Sequence, residues 1–271
     1  MNIMNKLELY CVTDKRVEQL ETTNYNLAAV GKERLPENYL RCDNGDNIFY
    51  KEEYYSELTF HYWFWKNKLD IKSDKWIGFC QKRRFWIDKA YSNKKIDRQT
   101  YLNAIIKTNP SEWDQYESII CSPIKVNNLK KMTIIKKGFQ HLIKQPSILF
   151  NIEKQNIALH FDLHHGNGNL NKAISVLDPA DQEDFNKYVN TKTYYNPHIM
   201  FISKPIVHDK WFKTLFAWLE RCEKIFGFEN LQGYETKRLY AYLAERYLSF
   251  WFKKYTKSLE WPWTFINYNE K

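Results

Sequence analysis

The stretch Tyr55-Ser56-Glu57-Leu58-Thr59-Phe60-His61-Tyr62-Trp63-Phe64-Trp65-Lys66-Asn67, followed by Trp76-Ile77-Gly78-Phe79-Cys80-Gln81-Lys82-Arg83-Arg84-Phe85-Trp86, decides how this chain is read. Ser56 and Glu57 can start a helix, and Leu58, His61, Tyr62 and Trp65 then share one face at helical spacing until Asn67 and Lys68. Lys75 to Cys80 is a short apolar run of strand length that stops at Gln81 and three cations. A helix leading into a strand with charge at its carboxyl end is how α/β enzymes present a ligand site.

Outward from this core, Leu7 to Val12 reads as a first strand with Thr13-Asp14-Lys15 at its carboxyl end. A polar connection passes through Leu27-Ala28-Ala29-Val30-Gly31 to Asp43-Asn44-Gly45-Asp46-Asn47, a strong turn signal. Ser118 to Cys121 is a further strand stopped by Pro123, and Ile96 to Lys107 before it is predicted helical. This alternation implies a mostly parallel, doubly wound sheet. Helical spacing returns over Lys130 to Lys144, Asn171 to Val189, Asp209 to Phe226 and Glu235 to Tyr255, with a predicted strand over Asn196 to Ile206. The aromatic tail Trp261-Pro262-Trp263 is expected to pack on the body, the alternative being a lipid interface.

The chain has 271 residues with 8 glycines and 8 prolines, no low-complexity linker and no repeat, which favours one continuous domain over 1–271. Aromatic residues make up 17%, most of them expected in the core. A net charge of +9 admits nucleic acid, an anionic membrane or a nucleoside diphosphate as partner. The lysines are dispersed and no nucleic-acid motif is present, so nucleic acid is not the expected partner. Five separated cysteines with no C-x-x-C pair argue against a zinc ribbon or disulfide framework and suit a reducing cytoplasm. Met1 to Leu9 lacks the apolar run of a signal peptide, and no 18-residue apolar window exists, so at most a peripheral contact with the inner membrane is expected.

Four constellations carry chemistry. The acids of Asp43-Asn44-Gly45-Asp46-Asn47 can meet ribose hydroxyls or a metal, against the alternative of a solvated turn. Gln81-Lys82-Arg83-Arg84 can neutralise a departing diphosphate, against a solvated basic turn. His160-Phe161-Asp162-Leu163-His164-His165-Gly166-Asn167-Gly168-Asn169 offers a base or metal ligands and reads as a loop because of its glycines. Arg238, Glu245 and Arg246 are placed on the last predicted helix, Arg238 and Glu245 on one face seven residues apart, to close a site or to form ion pairs. G-x-G-x-x-G, the P-loop, G-x-S-x-G and D-x-D are all absent.

With these motifs in order, the chain resembles the bacterial glycosyltransferase-like domain of capsular polysaccharide, lipooligosaccharide and O-antigen loci, some members of which are galactofuranosyltransferases. The matching residues are Leu9-Tyr10-Cys11-Val12, Gly45-Asp46-Asn47-Ile48, the pattern Y-x-E-L-T-x-x-Y-W-x-W-K-N over Tyr55 to Asn67, and Y-I-G-L-x-H-Y-R-R over Trp76 to Arg84. Met200-Phe201-Ile202 and Arg238 to Leu248 match its later strand and helix, so the likeness spans nearly the whole length.

The resemblance implies a GT-A-like α/β fold with C-terminal helices: a Rossmann-type half over about 1–125 that holds a nucleotide sugar, and an acceptor-binding half over about 126–271. It implies donor-side roles for Cys11, Val30, Gly31, Asp43, Asp46, Asn47, Tyr55, Glu57, Gln81, Lys82, Arg83 and Arg84, and acceptor-side roles for His160, His164, Met200, Arg238 and Arg246. Asp162, His165 and Glu245 are the candidate bases. Gln81 replaces the family's His, and Asn169 stands where an acid is usual, so the metal, Mn or Mg, is left open beside metal-independent catalysis. The implied reaction moves a hexose, galactofuranose among the options, from a UDP-sugar to a glycan or lipid-linked glycan; no nucleophile is evident for double displacement, which favours inversion. The alternatives are a non-catalytic scaffold of the same fold for glycan assembly and a basic nucleic-acid-binding protein.

Overall fold

The computed structural model describes residues 6–268, so the amino-terminal stretch 1–5, on which the signal-peptide reading partly rests, lies outside the described residues. The strands are β1 (Leu7–Thr13), β2 (Asn26–Ala29), β3 (Leu40–Arg41), β4 (Trp76–Gln81), β5 (Arg84–Trp86), β6 (Ser118–Cys121), β7 (Ile124–Lys125), β8 (Tyr194–Tyr195), β9 (Phe201–Ser203), β10 (Ser258–Trp261) and β11 (Trp263–Phe265). Two compact units share them. Among the described residues, the first comprises 6–122, His198–Lys213 and 251–268, the second Pro123–Pro197 and Thr214–Phe250.

The first unit holds one sheet in the order β10-β6-β9-β4-β1-β2-β3, with β5 and β11 as an antiparallel side branch from β4. Every neighbour pair along the main path is parallel except the two made by β9, which runs antiparallel between β4 and β6. The fold is thus α/β with a mostly parallel sheet flanked by helices. Such a sheet must be covered on both faces. In β1 the two-residue period sends Leu9 and Cys11 into one apolar cluster with Cys80, Trp86 and Ile202. Tyr10 faces the other way, 4.8 Å from Phe64 between ring centroids, where the helix Leu58–Asn67 lies. That helix buries Leu58, Phe60, His61, Trp63 and Phe64, each large apolar side chain contributing roughly 1.5–3 kcal/mol.

Several expectations change. Leu27 to Ala29 is strand β2 and not a connection, because its three apolar residues are buried beside β1. The helix expected over Ile96 to Lys107 shrinks to Tyr101–Ala104, since Ile105 bridges to Ile87 instead. The expected strand Asn196 to Ile206 is reduced to β9, with Pro205 opening the long helix Pro205–Phe226. The aromatic tail becomes β10 and β11: Trp261 is buried and its indole N–H donates to the Ile87 carbonyl at 2.8 Å.

The second unit is mainly helical. Its elements include Lys131–Lys137, Phe139–Lys144, Ile157–His165, Asn169–Ile174 and Pro179–Thr191, with β7 and β8 as an antiparallel pair. Asp178 caps the last of these helices by accepting from the Ala180 N–H, and Pro179 occupies its first turn. Phe185 packs on Tyr247 (5.2 Å) and Phe250 (5.2 Å), and Trp218 on Tyr247 (4.9 Å). The segment His160 to His165 is helix and not loop. Asn156 caps it by accepting from the Leu159 N–H, and the loop signal begins only at Gly166, whose φ of +99° ends the helix. Arg238 likewise precedes the helix Leu239–Tyr255, so it does not share a helical face with Glu245; its carbonyl instead accepts from the Tyr242 N–H.

Candidate functional site

In the first unit the carboxyl ends of β1, β2 and β4 lie side by side. There β4 turns back through Lys82 and Arg83 into β5, with Gln81 and Arg84 paired across the turn. The Lys82 N–H donates to the Val12 carbonyl (3.1 Å) and the Val30 N–H to the Thr13 carbonyl (2.9 Å), which ties the three strand ends together. Gly31 has φ +82°, and a Cβ there would sit 3.4 Å from the Asp14 Cβ, so the chain passes close to Asp14.

The side chains at this edge form a charged relay. The Lys82 ammonium pairs with Asp14. Gln81 donates its amide N–H to Glu57, and Arg84 donates to the Gln81 Oε1 at 3.0 Å. The Arg83 and Arg84 guanidinium groups both stand 5.5 Å from the Phe265 ring centroid, and their Nε atoms are buried without a hydrogen-bond partner. Buried guanidinium N–H groups without acceptors are suited to an anion. Glu57 reaches this edge because Ser56, at φ +52°, breaks the chain between the helices Glu52–Tyr55 and Leu58–Asn67.

The turn Asp43 to Asn47 is built by local bonds. Asp43 pairs with Arg41, and the Asp46 N–H donates to the Asn67 Oδ1 (3.2 Å) while its carboxylate accepts from the Tyr62 hydroxyl (3.2 Å). Asn47 donates to the Gly45 carbonyl and accepts from the Phe49 N–H. Tyr55, Val30, Cys11 and Met200 are all buried, the last two with no exposed surface, so their side chains serve packing. Asp14 and Phe265 escaped the residue-level assignment. Asp14 was signalled by its place after β1, whereas Phe265 reaches the site only through the β5–β11 pairing.

In the second unit a separate group forms where the helices Ile157–His165 and Leu239–Tyr255 meet β8. Arg246 is buried, pairs with Glu245, lies 3.4 Å from the His160 Nδ1, and covers the Tyr195 ring at 4.0 Å. His165 stacks on Tyr242 at 3.7 Å, and its Nδ1 lies 2.8 Å from the Glu235 carbonyl. Because a carbonyl only accepts, Nδ1 carries the proton and Nε2 keeps the lone pair. Burial and then the Arg246 charge push His160 down to about 2 and His165 down to about 4, and burial lowers His164. His160, His165, Glu245 and Arg246 are therefore brought together, with His164 beside Glu235. Asp162 points elsewhere: it pairs with His141 at 3.0 Å and accepts from the Gly168 N–H at 3.1 Å, and burial raises it.

A family model covers residues 8–257 of this sequence. The chain belongs to DUF4422, a domain of unknown function. This DUF4422 chain is also similar to a solved apo structure of the bifunctional glycosyltransferase WbbM, with a TM-score of 0.70 and 19% identity over 97% of this chain and 46% of the other. The likeness shows the GT-A-like fold, and the DUF4422 chain spans about half the length of the structure it matches. No curated protein matches it. Among the described residues of this DUF4422 member no three His, Cys, Asp or Glu side chains converge as metal ligands. The edge itself offers the Gln81 amide, three cations and two carboxylates, Asp14 held by Lys82 and Glu57 held by the Gln81 amide.

Proposed function

We propose that this protein is a glycosyltransferase that moves a hexose from a UDP-sugar to a hydroxyl of a growing surface glycan. The observation that carries the reading is the Lys82-Arg83-Arg84 turn at the carboxyl edge of the sheet, in a fold similar to that of a glycosyltransferase. The bond between the sugar C1 and the diphosphate oxygen breaks, and the charge left on the diphosphate is met by Arg83, Arg84 and Lys82. The acceptor hydroxyl bonds to C1 on the opposite face, which inverts the anomeric centre. Its proton passes to a base. Gln81 supports the reaction indirectly, by holding Glu57 and Arg84 in place.

A thermal-shift panel of UDP, GDP, CDP and CMP, each with and without Mn²⁺, tests the donor class and the metal together. UDP alone is expected to raise the melting temperature. If none of the four nucleotides does so, and a panel of UDP-hexoses gives neither transfer nor hydrolysis, the reading fails.

A further inference from the structure

The residues between 130 and 154 in the second unit carry more apolar side chains than their own core takes up. Ile134 and Ile148 turn inward with Leu159 and Leu163, joined by Leu142 and Leu149. Met132, Ile135, Phe139, Ile143, Phe150 and Ile152 turn outward, with Phe139 65%, Ile143 68% and Phe150 80% exposed. Six of the chain's exposed large apolar residues thus fall within about twenty positions, and four of them recur at i, i+3, i+7 and i+11. Singly exposed apolar residues need no explanation, but a cluster of this kind marks a contact surface.

The charge on the same segment says what it contacts. Residues 130–154 contain six lysines, one glutamate, and neither aspartate nor arginine, a net +5 out of the chain's +9. Lys131 lies 5.2 Å from the Phe150 ring centroid, so cation and apolar ring share one spot. Lys137 is offset by Glu235 at 2.7 Å, while Lys130, Lys131, Lys136 and Lys144 are exposed. Large apolar side chains ringed by flexible lysines, on short helices too brief to span a bilayer, fit an interface of acyl chains under anionic headgroups. Among the described residues no helix is long and apolar enough to cross a membrane, so the contact is peripheral.

We propose that the 130–154 segment docks this protein on an anionic lipid bilayer, inserting Phe139, Ile143 and Phe150 below the headgroups while its lysines engage them. The aromatic tail, with Trp261 buried and Trp263 half-buried and paired in the sheet, is less suited as the anchor. The inference does not depend on glycosyl transfer, because binding is read without any reaction.

The test is sedimentation of the purified full chain with vesicles of phosphatidylcholine alone or mixed with phosphatidylglycerol. The wild type should bind the mixed vesicles, and less as salt shortens the reach of the lysines. The triple variant Phe139→Ser, Ile143→Ser, Phe150→Ser should bind at least about tenfold more weakly. Ile71→Ser, exposed in the first unit, should bind as the wild type does. Should the triple variant fail to fold by circular dichroism, Lys131→Gln, Lys136→Gln, Lys144→Gln is the second arm, expected to abolish the preference for phosphatidylglycerol. Wild-type protein that binds neither vesicle, or variants that bind as well as the wild type, overturns the proposal. So does a self-associated wild type that the triple variant renders monomeric without any vesicle binding, since the patch then joins copies of the chain.

Discussion

Ser56 is the residue whose backbone does most to set the site. A non-glycine residue at φ +52° and ψ −130° is held in a sparsely populated conformation that costs about 1–3 kcal/mol. Its carbonyl accepts from both the Thr59 N–H and the Thr59 hydroxyl, which opens the following helix and leaves Glu57 at its entrance. Ser56→Gly removes the strain at the expense of a more flexible unfolded chain, and we expect a net gain of up to about 1 kcal/mol in urea denaturation. Ser56→Val should lose more than that, and equal midpoints for the two variants would refute the strain. Arg83 offers a complementary measurement. Its side chain meets Phe265 and keeps a buried N–H without acceptor, so Arg83→Ala should lower stability by no more than about 1 kcal/mol. In contrast, a lost charge-assisted bond to diphosphate is worth about 1.5–3 kcal/mol, or roughly ten- to a hundredfold weaker UDP binding by calorimetry. Undiminished UDP affinity in that variant would remove Arg83 from the donor site.

At the scale of elements, Gly78 in β4 shows what sequence spacing alone does and does not carry. A Cβ there would stand 2.5 Å from the Ile202 Cγ1 and 2.7 Å from the Leu9 Cδ2, so β4 accepts its neighbours β1 and β9 only with hydrogen at this position. Gly78→Ala forces those side chains off their rotamers and should cost about 1–3 kcal/mol, read as a lowered denaturation midpoint with an unchanged slope. A midpoint unmoved by the substitution would mean that the sheet relaxes freely there. β4 and β6 were legible because each is a buried apolar run ended by polar residues, and β1 because it alternates and is rich in strand formers. β2 was not, since Asn26–Ala29 has only three apolar residues. β9 lies inside the expected strand Asn196 to Ile206 and only its three-residue extent depends on its partners, whereas β11, also three residues, is recognisable only from the strand it pairs with. The histidine helix was misread because its closing glycines lie just past its end, where they terminate a helix as readily as they mark a loop. The Lys82-Arg83-Arg84 edge was readable from charge placed after a strand, yet its engagement with Asp14, Glu57 and Phe265 depends on contacts that no local pattern encodes.

Over the whole molecule, buried neutral imidazoles set the response to acid. Burial pushes His61 and His208 down to about 3 in the first unit, and His160 to about 2 and His165 to about 4 in the second. His61 lies 4.1 Å from the Phe79 ring centroid, with neither nitrogen hydrogen-bonded. In each case the folded pKa lies below the unfolded value of about 6.5. Between those two values the unfolded chain binds a proton that the folded chain refuses, so stability rises with pH through the window and falls as pH drops below about 6.5. Each such group contributes a slope of up to about 1.4 kcal/mol per pH unit. Asp162, raised by burial, acts with the opposite sign but is one group against five histidines, since burial lowers His164 as well. The carboxylates lowered by ion pairs, Asp74 and Glu235 among them, lose their contribution only near and below their ordinary range, which leaves the interval from about 6.5 to 4.5 to the histidines. Urea denaturation at steps across that interval should therefore show a steep decline. His61→Leu keeps an apolar side chain of similar size among Phe79, Phe201 and Phe212, and should flatten the decline by up to about 1.4 kcal/mol per pH unit. If the variant loses stability as steeply as the wild type, the imidazole of His61 is not held neutral by burial, and acid sensitivity must arise from other groups.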